Sequence, residues 1–437
     1  MSRLPISLLI SKSVLPQLQG KSQVSDQSLQ YPGEDTAHEH SAVERLDGLD
    51  GHDAPTDGSG VVGPWRKVWR PGDEAGDRQF VEIGDLSLEF GATLPNVVVC
   101  FETYGTLNGD RSNAVLVLHG FTGDSHAAGP SGPGHPEPGW WNGVIGSGKG
   151  IDTDRFFVVV PNALGGCQGT TGPAQLSPDG RPWGSRWPVT TTRDMVAAEA
   201  GMADALGIDV WHTVVGVSLG GMRALEWAVG HPSRQRRSVV IGCGAAATAE
   251  QIALQTIQMA SIVEDPNFLG GDYYETGNGS GPVRGMAAAR RLGHVTYRTE
   301  LELHRRFGNR SQGLEAASSA DRRGGRYAVV SYLDYAAERL ERRFDANSYL
   351  AINEAMNHHD IGRGRGGVAS AMARVTADLQ VVGLDDDRLY PVRLQRELHF
   401  LSPKPRELAL VFSIVGHDAF LIEDDAMNAI LRAHLAR

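Results

Sequence analysis

The amino-acid sequence predicts an α/β fold in which a mostly parallel sheet has helices on both faces and a helical insertion forms a cap. Buried apolar runs of strand length alternate with helical patterns through most of the chain. The alternation stops between residues 244 and 373, where helical patterns follow one another without a strong strand. Near the middle of the chain, a strand pattern, a tight turn at Ser218 and a helical pattern stand in direct succession. These three observations predict a sheet-based core that carries an inserted cap.

The predicted strands form two groups. The first three, at 80–83, 87–90 and 97–104, indicate an antiparallel opening section. The later runs are continuously apolar, as expected for parallel strands that are buried on both faces. They lie at 113–118, 156–160, 213–217, 238–242, 379–383 and 408–413. Between them, a capping box of Thr191 and Asp194 predicts the start of a helix that ends at Gly207.

The helical insertion has patterns at 248–263, 283–293, 300–307, 329–344 and 348–356. We expect it to lie over the carboxyl ends of the parallel strands, where open α/β folds hold their ligands. We therefore predict an N-terminal extension at 1–62, core segments at 63–243 and 374–437, and a cap at 244–373. The extension is poor in apolar residues and rich in Ser, Gln, Gly and acidic residues, which predicts disorder.

Composition limits the class of partner. The 437 residues include 41 Lys and Arg and 52 Asp and Glu, for a formal net charge of −11. This balance argues against nucleic acid or an anionic membrane as the main partner. No apolar run approaches the roughly 18–20 residues of a membrane-spanning helix. Cys100, Cys167 and Cys243 form no C-x-x-C pair, so we expect reduced thiols and a cytoplasmic protein.

Ser218 is the predicted nucleophile. It follows the strand pattern at 213–217, and Gly216 and Gly220 stand two positions on either side of it. A sharp strand-to-helix reversal leaves no room for side chains at those two positions. Such a turn lifts the serine hydroxyl out of the backbone and directs the first amides of the helix at the group under attack. The alternative, a glycine-rich turn with an incidental serine, does not explain the flanking strand and helix.

A general base and an orienting carboxylate are expected on loops after later strands, with the acid before the histidine. His417 follows the last predicted strand, so we predict it as the base that takes the Ser218 proton and later returns it. Asp385, Asp386 and Asp387 follow the preceding strand. Spacing alone does not choose among these three aspartates.

Two backbone amides are expected to form the oxyanion hole. Leu219 follows the nucleophile, and Phe121 lies in the glycine-containing loop after the strand at 113–118. We predict these two residues as the amide donors. No metal site is predicted, because the strongest candidate, His358-His359-Asp360, lacks a third ligand at suitable spacing.

From about residue 65 to the C terminus, the sequence resembles the homoserine O-acetyltransferases, which have the α/β-hydrolase fold. Eight motifs carry the resemblance, in the same order along the chain. They are HGFTGDSHAAG (119–129), PNALGGCQGTTG (161–172), VGVSLGGMRALEW (215–227), AARRLGHVTYR (288–298), FDANSY (344–349), DIGRGRGG (360–367), DRLYP (387–391) and GHDAFLIE (416–423).

The resemblance implies that acetyl passes from acetyl-CoA to the side-chain hydroxyl of L-homoserine, a step of methionine biosynthesis. It implies a homodimer that uses acetyl-CoA as a co-substrate and has no bound cofactor. Ser218 and His417 are similar to the family's nucleophile and base, and Asp387 is similar to its third triad member.

Four more residues match the acceptor site of the family. Arg290 resembles the residue that binds the homoserine carboxylate, a role that suits the guanidinium fork. Asp418 resembles the carboxylate that meets the amino group. Tyr297 and Thr122 match positions that help line the acceptor pocket.

Two departures from the family pattern affect the acyl pocket. The elbow is Gly-Val-Ser-Leu-Gly in place of Gly-Gly-Ser-Met-Gly, and Gly120-Phe121 replaces Ala-Leu. The sequence therefore leaves a homoserine O-succinyltransferase or a serine O-acyltransferase open. An esterase, in which water is the acceptor, is a further alternative. The alternative that is not an enzyme is a non-catalytic binding protein of the same fold.

Overall fold

The computed structural model describes residues 68–275, 281–311 and 327–436. Its centre is an eight-stranded sheet with the strand order β1-β2-β6-β3-β7-β8-β9-β10, and β4 and β5 form a separate pair. The strands are β1 Gln79–Ser87, β2 Thr93–Tyr104, β3 Ala114–Leu118, β4 Ile145–Gly146, β5 Ile151–Asp152, β6 Phe157–Pro161, β7 Trp211–Val217, β8 Gln235–Ile241, β9 Asp378–Leu384 and β10 Ala409–Val411. In the large sheet, β2 pairs antiparallel with β1 and β6, and the remaining pairs are parallel. The predicted mostly parallel sheet is confirmed.

Helices cover both faces of this sheet. The α-helices of the described residues are α1 Thr192–Ala205, α2 Leu219–Gly230, α3 Ala249–Val263, α4 Val283–Tyr297, α5 Glu300–Phe307, α6 Ala328–Arg343, α7 Ala346–Asn357, α8 Val368–Met372, α9 Val392–Leu401, α10 Ala419–Ile422 and α11 Asp424–Leu435. Alternate residues of β3 belong to two different hydrophobic clusters, one on each face of the sheet. Leu116 and Leu118 pack with α1, α2 and α9, whereas Val115 and Val117 pack with α10 and α11. The continuous apolar run of β3 is thus explained by burial on both faces.

Some predicted elements differ from the structure. The predicted strand at 87–90 is wrong, because β1 extends to Ser87 and the next residues form a turn in which Leu88 N donates to Ala92 O. The predicted strand at 408–413 shortens to β10, and Phe412 is 73% exposed. The capping box is confirmed, since Thr191 Oγ1 accepts from Asp194 N and Asp194 Oδ2 accepts from Thr191 N.

Helices α3 to α8 follow β8 and precede β9. We retain the division into core segments at 63–243 and 374–437 and a cap at 244–373 as a proposal. The predicted extension at 1–62 lies outside the described residues. Within the described ranges, none of the helices combines the length and the apolar character that crossing a bilayer requires. All three cysteines are buried and free.

A buried ion pair lies directly behind the turn at Ser218. Arg223 of α2 donates through Nε to Glu199 Oε1 of α1 at 2.6 Å, and Trp227 Nε1 donates to Glu199 Oε2 at 2.7 Å. Arg223 Nη1 also donates to the carbonyl oxygen of His119, at 3.5 Å. The pair therefore connects the two helices beside the turn with the end of β3.

We predict that Glu199→Gln lowers the free energy of unfolding by about 3 kcal/mol, because it leaves the fully buried Arg223 without its counter-charge. Urea unfolding measures the change. The control is Asp204→Asn on the same helix, which removes the ion pair of the 66% exposed Asp204 with Arg234 and should cost less than about 1 kcal/mol. Equal losses in the two variants would contradict the prediction.

Candidate active site

Ser218 occupies a strained turn between β7 and α2. Its backbone has φ 55° and ψ −118°, a left-handed region that costs a residue with a side chain on the order of 1–3 kcal/mol. A Cβ at Gly216 would collide with the carbonyl oxygen of Gly220, and one at Gly220 would collide with that of Leu118. Ser218 N donates to Ile241 O at 2.9 Å. Close backbone packing on both sides therefore holds the serine in this conformation.

The structure brings Ser218, His417 and Asp387 into one hydrogen-bonded chain. His417 Nε2 lies 2.8 Å from Ser218 Oγ, and His417 Nδ1 lies 2.6 Å from Asp387 Oδ2. Asp387 Oδ1 accepts from the backbone N–H groups of Leu389 and Tyr390, both at 2.8 Å. The two preceding aspartates of the run are exposed. Of the three aspartates that sequence spacing left open, Asp387 is the one that contacts the histidine.

The environment of His417 fixes its orientation and its basicity. Its backbone N–H donates to Tyr297 O at the end of α4, at 2.9 Å, and its ring stacks on Tyr390 with centroids 5.1 Å apart. Burial alone lowers the pKa of His417, but the Asp387 carboxylate, with a smaller contribution from Asp418, raises it above the ordinary histidine value. The imidazole is therefore a stronger base than a free histidine.

Two backbone amides adjoin the serine. Leu219 is the first residue of α2, so its N–H has no partner within the helix. Gly120, which precedes Phe121, lies so near that a Cβ on it would be 3.7 Å from Ser218 Cβ. The amides of Phe121 and Leu219 donate to no group among the residues that the structure describes. Both N–H groups are thus available to an oxyanion formed at Ser218.

The residues predicted to bind the acceptor form two groups. Arg290 of α4 places Nη1 at 3.5 Å from Thr122 Oγ1, and its guanidinium lies 5.8 Å from the centroid of the Tyr297 ring. Asp418 is held from the other side, because the Arg298 guanidinium lies 3.2 Å from its Oδ2. A cation and an anion therefore stand at separate positions around the same histidine.

One cavity joins these groups. Seven of the nine predicted residues line this cavity. Of the other two, Asp387 lies behind His417, and Leu219 lies behind Ser218. The lining residues among the predicted set are Phe121, Thr122, Ser218, Arg290, Tyr297, His417 and Asp418. The structure therefore brings residues from both core segments and from the helical insertion to one surface.

Sequence reasoning missed several residues of this cavity, among them Gln255, Gln258, Asn353, Tyr390 and Trp140. A signal for the two glutamines was present. Helix α3 buries Gln251, Gln255 and Gln258 and exposes apolar residues on its other side. A helix that turns its polar stripe inward faces a polar cavity, and the i, i+4, i+7 spacing of these glutamines is readable in the sequence. Asn353 on α7 has no comparable pattern.

A second cluster has the side chains of a metal site, with Glu102, His126 and His135 buried and Asp77 exposed. Glu102, His126, His135 and Asp77 approach within 4.8 Å of one another. Glu102 accepts from His126 Nδ1 at 2.9 Å and from Ser125 Oγ at 2.7 Å, and His135 Nε2 accepts from Asp77 N at 3.1 Å. These contacts link the three buried side chains in a hydrogen-bonded network, which the backbone of Asp77 joins.

Comparison with known proteins agrees with this geometry. The family described as alpha/beta hydrolase fold matches residues 113–424. A homoserine O-acetyltransferase of Thermobifida fusca is 52% identical over 375 residues, which cover 86% of this chain and 98% of that protein.

Two solved structures are similar over 82% of this chain at 28% identity. The crystal structure of a homoserine O-acetyltransferase from Bacillus anthracis superposes with a TM-score of 0.75 over 97% of its own length. That of esterase E22 superposes with a TM-score of 0.73 over 99% of its length. The chain belongs to the homoserine O-acetyltransferase family of the α/β-hydrolase fold.

Proposed function

We propose that this protein transfers the acetyl group of acetyl-CoA to the side-chain hydroxyl of L-homoserine, as a step of methionine biosynthesis. The observation that carries the proposal is the single cavity in which the Ser218–His417 pair lies between Arg290 and Asp418. An acyl-transfer centre whose cavity contains the Arg290 guanidinium and the Asp418 carboxylate matches an acceptor with a carboxylate, an ammonium group and a hydroxyl.

The proposed reaction has two acyl-transfer steps. His417 Nε2 takes the Ser218 proton as Oγ attacks the thioester carbonyl, and the oxyanion accepts from the amides of Phe121 and Leu219. The C–S bond breaks, and the CoA sulfur takes the proton from His417. The homoserine hydroxyl then gives its proton to His417 and attacks the acyl-serine, and Ser218 leaves with that proton. Asp387 holds the imidazole tautomer throughout.

The acceptor contacts favour the amino acid over water. We propose that Arg290 binds the acceptor carboxylate while Asp418 binds its ammonium group. Thr122 and Tyr297, which contact the Arg290 guanidinium, orient it. An acceptor held at both ends places its hydroxyl near the acyl-serine and excludes water from the same position.

Hydrolysis is the second candidate function, because esterase E22 is as similar to this chain in structure as the Bacillus anthracis enzyme is. The two reactions share the acylation step and differ in the molecule that removes the acyl group. Succinyl transfer and serine acylation differ only in donor and acceptor, so the same assay with other substrates distinguishes them.

We further propose a cytoplasmic homodimer without a bound cofactor. Support for self-association comes from α3, which buries glutamines and exposes Ile252, Ile257 and Val263 on its outward side. An apolar outward face is typical of a surface that another protein covers. The three free cysteines are consistent with a reducing compartment.

We predict that release of CoA from acetyl-CoA is fast, requires L-homoserine and falls by a factor of roughly 10⁴ or more in Ser218→Ala. The measurement is thiol release with acetyl-CoA or succinyl-CoA, each alone, with L-homoserine or with L-serine. Release that is equally fast without an amino acid would make water the acceptor and would overturn the proposal in favour of hydrolysis. Circular dichroism of the variant provides the folding control.

We also predict that the acid limb of the rate profile lies above pH 6.5, the ordinary histidine value. His417 must be neutral to accept a proton, and its pKa is raised, so activity is lost at a higher pH than for a free histidine. In Asp387→Asn, His417 stays buried but loses the neighbouring carboxylate charge, so its pKa falls. The acid limb should therefore move to lower pH. The measurement is kcat/KM against pH, with Asp386→Asn, an exposed neighbour, as the control. A wild-type limb below pH 6, or an unmoved limb in Asp387→Asn, would contradict this assignment.

The self-association surface yields a separate prediction. Ile257 is 58% exposed on α3, and Ile257→Lys should convert a dimer to a monomer, because a charge cannot be buried there without a partner. Light scattering after size exclusion measures the mass. The matched control is Val189→Lys, which changes an exposed valine outside the cap and should leave the dimer intact. A monomeric wild-type protein would refute the proposed assembly.

A further inference from the structure

Asn353 lies in the wall of the active-site cavity with no hydrogen-bond partner for its side chain. It stands on α7, is fully buried and lines the same cavity as Ser218 and Arg290. Among the described residues, neither Asn353 Nδ2 nor Oδ1 makes a hydrogen bond. Unlike the backbone groups of its helix, this amide has both of its polar atoms available.

Other polar atoms of the same wall share this property. Gln255 Oε1, Arg290 Nε and Tyr390 Oη are also buried without partners in the described part of the chain. By contrast, Gln258 Oε1 accepts from the Tyr349 hydroxyl at 2.5 Å. The unpaired groups therefore surround one cavity, and one glutamine of its wall is already engaged.

A series of contacts in the cavity wall connects Asn353 to Arg290. Asn353 lies one helical turn after Tyr349 on α7, and the Tyr349 ring packs against the Phe121 ring with centroids 4.5 Å apart. The residue after Phe121, Thr122, has its Oγ1 3.5 Å from Arg290 Nη1. Tyr349 and Phe121 thus connect the two parts of the wall, and the Asn353 amide has no hydrogen-bond partner among the described residues. The amide and the guanidinium consequently lie in one neighbourhood of the cavity.

A buried amide without partners destabilises a fold. Each unsatisfied polar group costs on the order of 1–3 kcal/mol, which an apolar side chain of similar size would avoid. Such a residue is expected where a ligand completes its hydrogen bonds. The ligand of this cavity must therefore present polar atoms next to Arg290.

We infer that Asn353 is a specificity-determining residue for the acceptor, and that its Nδ2 donates to the α-carboxylate that Arg290 binds. This inference rests on the proposed function, because it assumes an amino acid in the cavity. A carboxylate has two oxygens and four lone-pair positions, so it can accept from the guanidinium and from the amide together. The pair would then select amino acids over alcohols that lack the carboxylate.

The test compares three variants by kinetics. In Asn353→Leu, KM for L-homoserine should rise roughly 10- to 100-fold, the loss typical of a hydrogen bond to a charged group. The rate of acyl-enzyme formation from acetyl-CoA should change less than about twofold, because the proposed hydrogen bond is made to the acceptor alone. The matched control is Asn357→Leu, one helical turn away and outside the cavity lining, which should leave KM unchanged.

Stability separates this role from a structural one. Asn353→Leu should have an unchanged or higher Tm, because leucine removes two unpaired polar atoms from a buried position. If Asn353 were instead a structural residue, the variant would have a lower Tm with an unchanged KM, and that outcome would overturn the inference.

Asn353→Asp tests the contact with the carboxylate and keeps the shape of the side chain if the leucine variant does not fold. The new charge should repel L-homoserine, so kcat/KM should fall further for L-homoserine than for its uncharged carboxamide. Equal losses would overturn the carboxylate contact alone. Failure of the wild-type protein to acetylate L-homoserine would overturn the proposed function as well, so the two failures are distinguishable.

Discussion

The close backbone packing around Ser218 is the constraint on which the rest of the site depends. The serine keeps a left-handed backbone only because β7 and α2 meet without side chains at Gly216 and Gly220. This contact also brings the end of β3 against the turn, since a side chain at Gly220 would meet Leu118 O. The two amides available for an oxyanion are thereby brought beside the hydroxyl. A small steric requirement of two glycines thus sets the relative position of nucleophile and oxyanion donors.

The histidine is positioned by the helical insertion as well as by the core. His417 N donates to Tyr297 O, Arg298 pairs with Gly416 in an antiparallel bridge, and Thr299 Oγ1 donates to Ile414 O. These hydrogen bonds hold the end of α4 against the loop that contains His417. Arg290 lies on that same helix. A displacement of α4 would therefore move Arg290, for which we propose acceptor binding, together with His417, so the proposed acceptor site and the geometry of the proton transfer depend on the same helix.

Sequence patterns correctly predicted the elements that depend only on residues close to one another in the chain. The capping box at Thr191 and the strand–turn–helix at Ser218 depend on neighbouring residues, so the sequence contains their cause. The strand predicted at 408–413 shortened because its end, with Phe412 exposed, lacks a covering neighbour, which no local pattern records. Sequence spacing also could not distinguish which of three consecutive aspartates contacts the histidine, because that depends on which carboxylate the fold brings to His417. Asn353 escaped prediction for the same reason: its distinction is a missing partner, and partners are a property of the folded chain.

Helix α3 reverses the usual arrangement of a surface helix, and both of its faces have consequences. Gln255 and Gln258 line the cavity, whereas Ile252 and Ile257 are exposed on the outward side. Gln251 and Gln258 are hydrogen-bonded within the protein, whereas Gln255 Oε1 is buried without a partner among the described residues, which costs stability. We propose that the acceptor completes the hydrogen bonds on the inside and that a second copy of the chain covers the apolar face on the outside. The helix would then have its full complement of contacts only when the cavity is filled and the outer surface is covered.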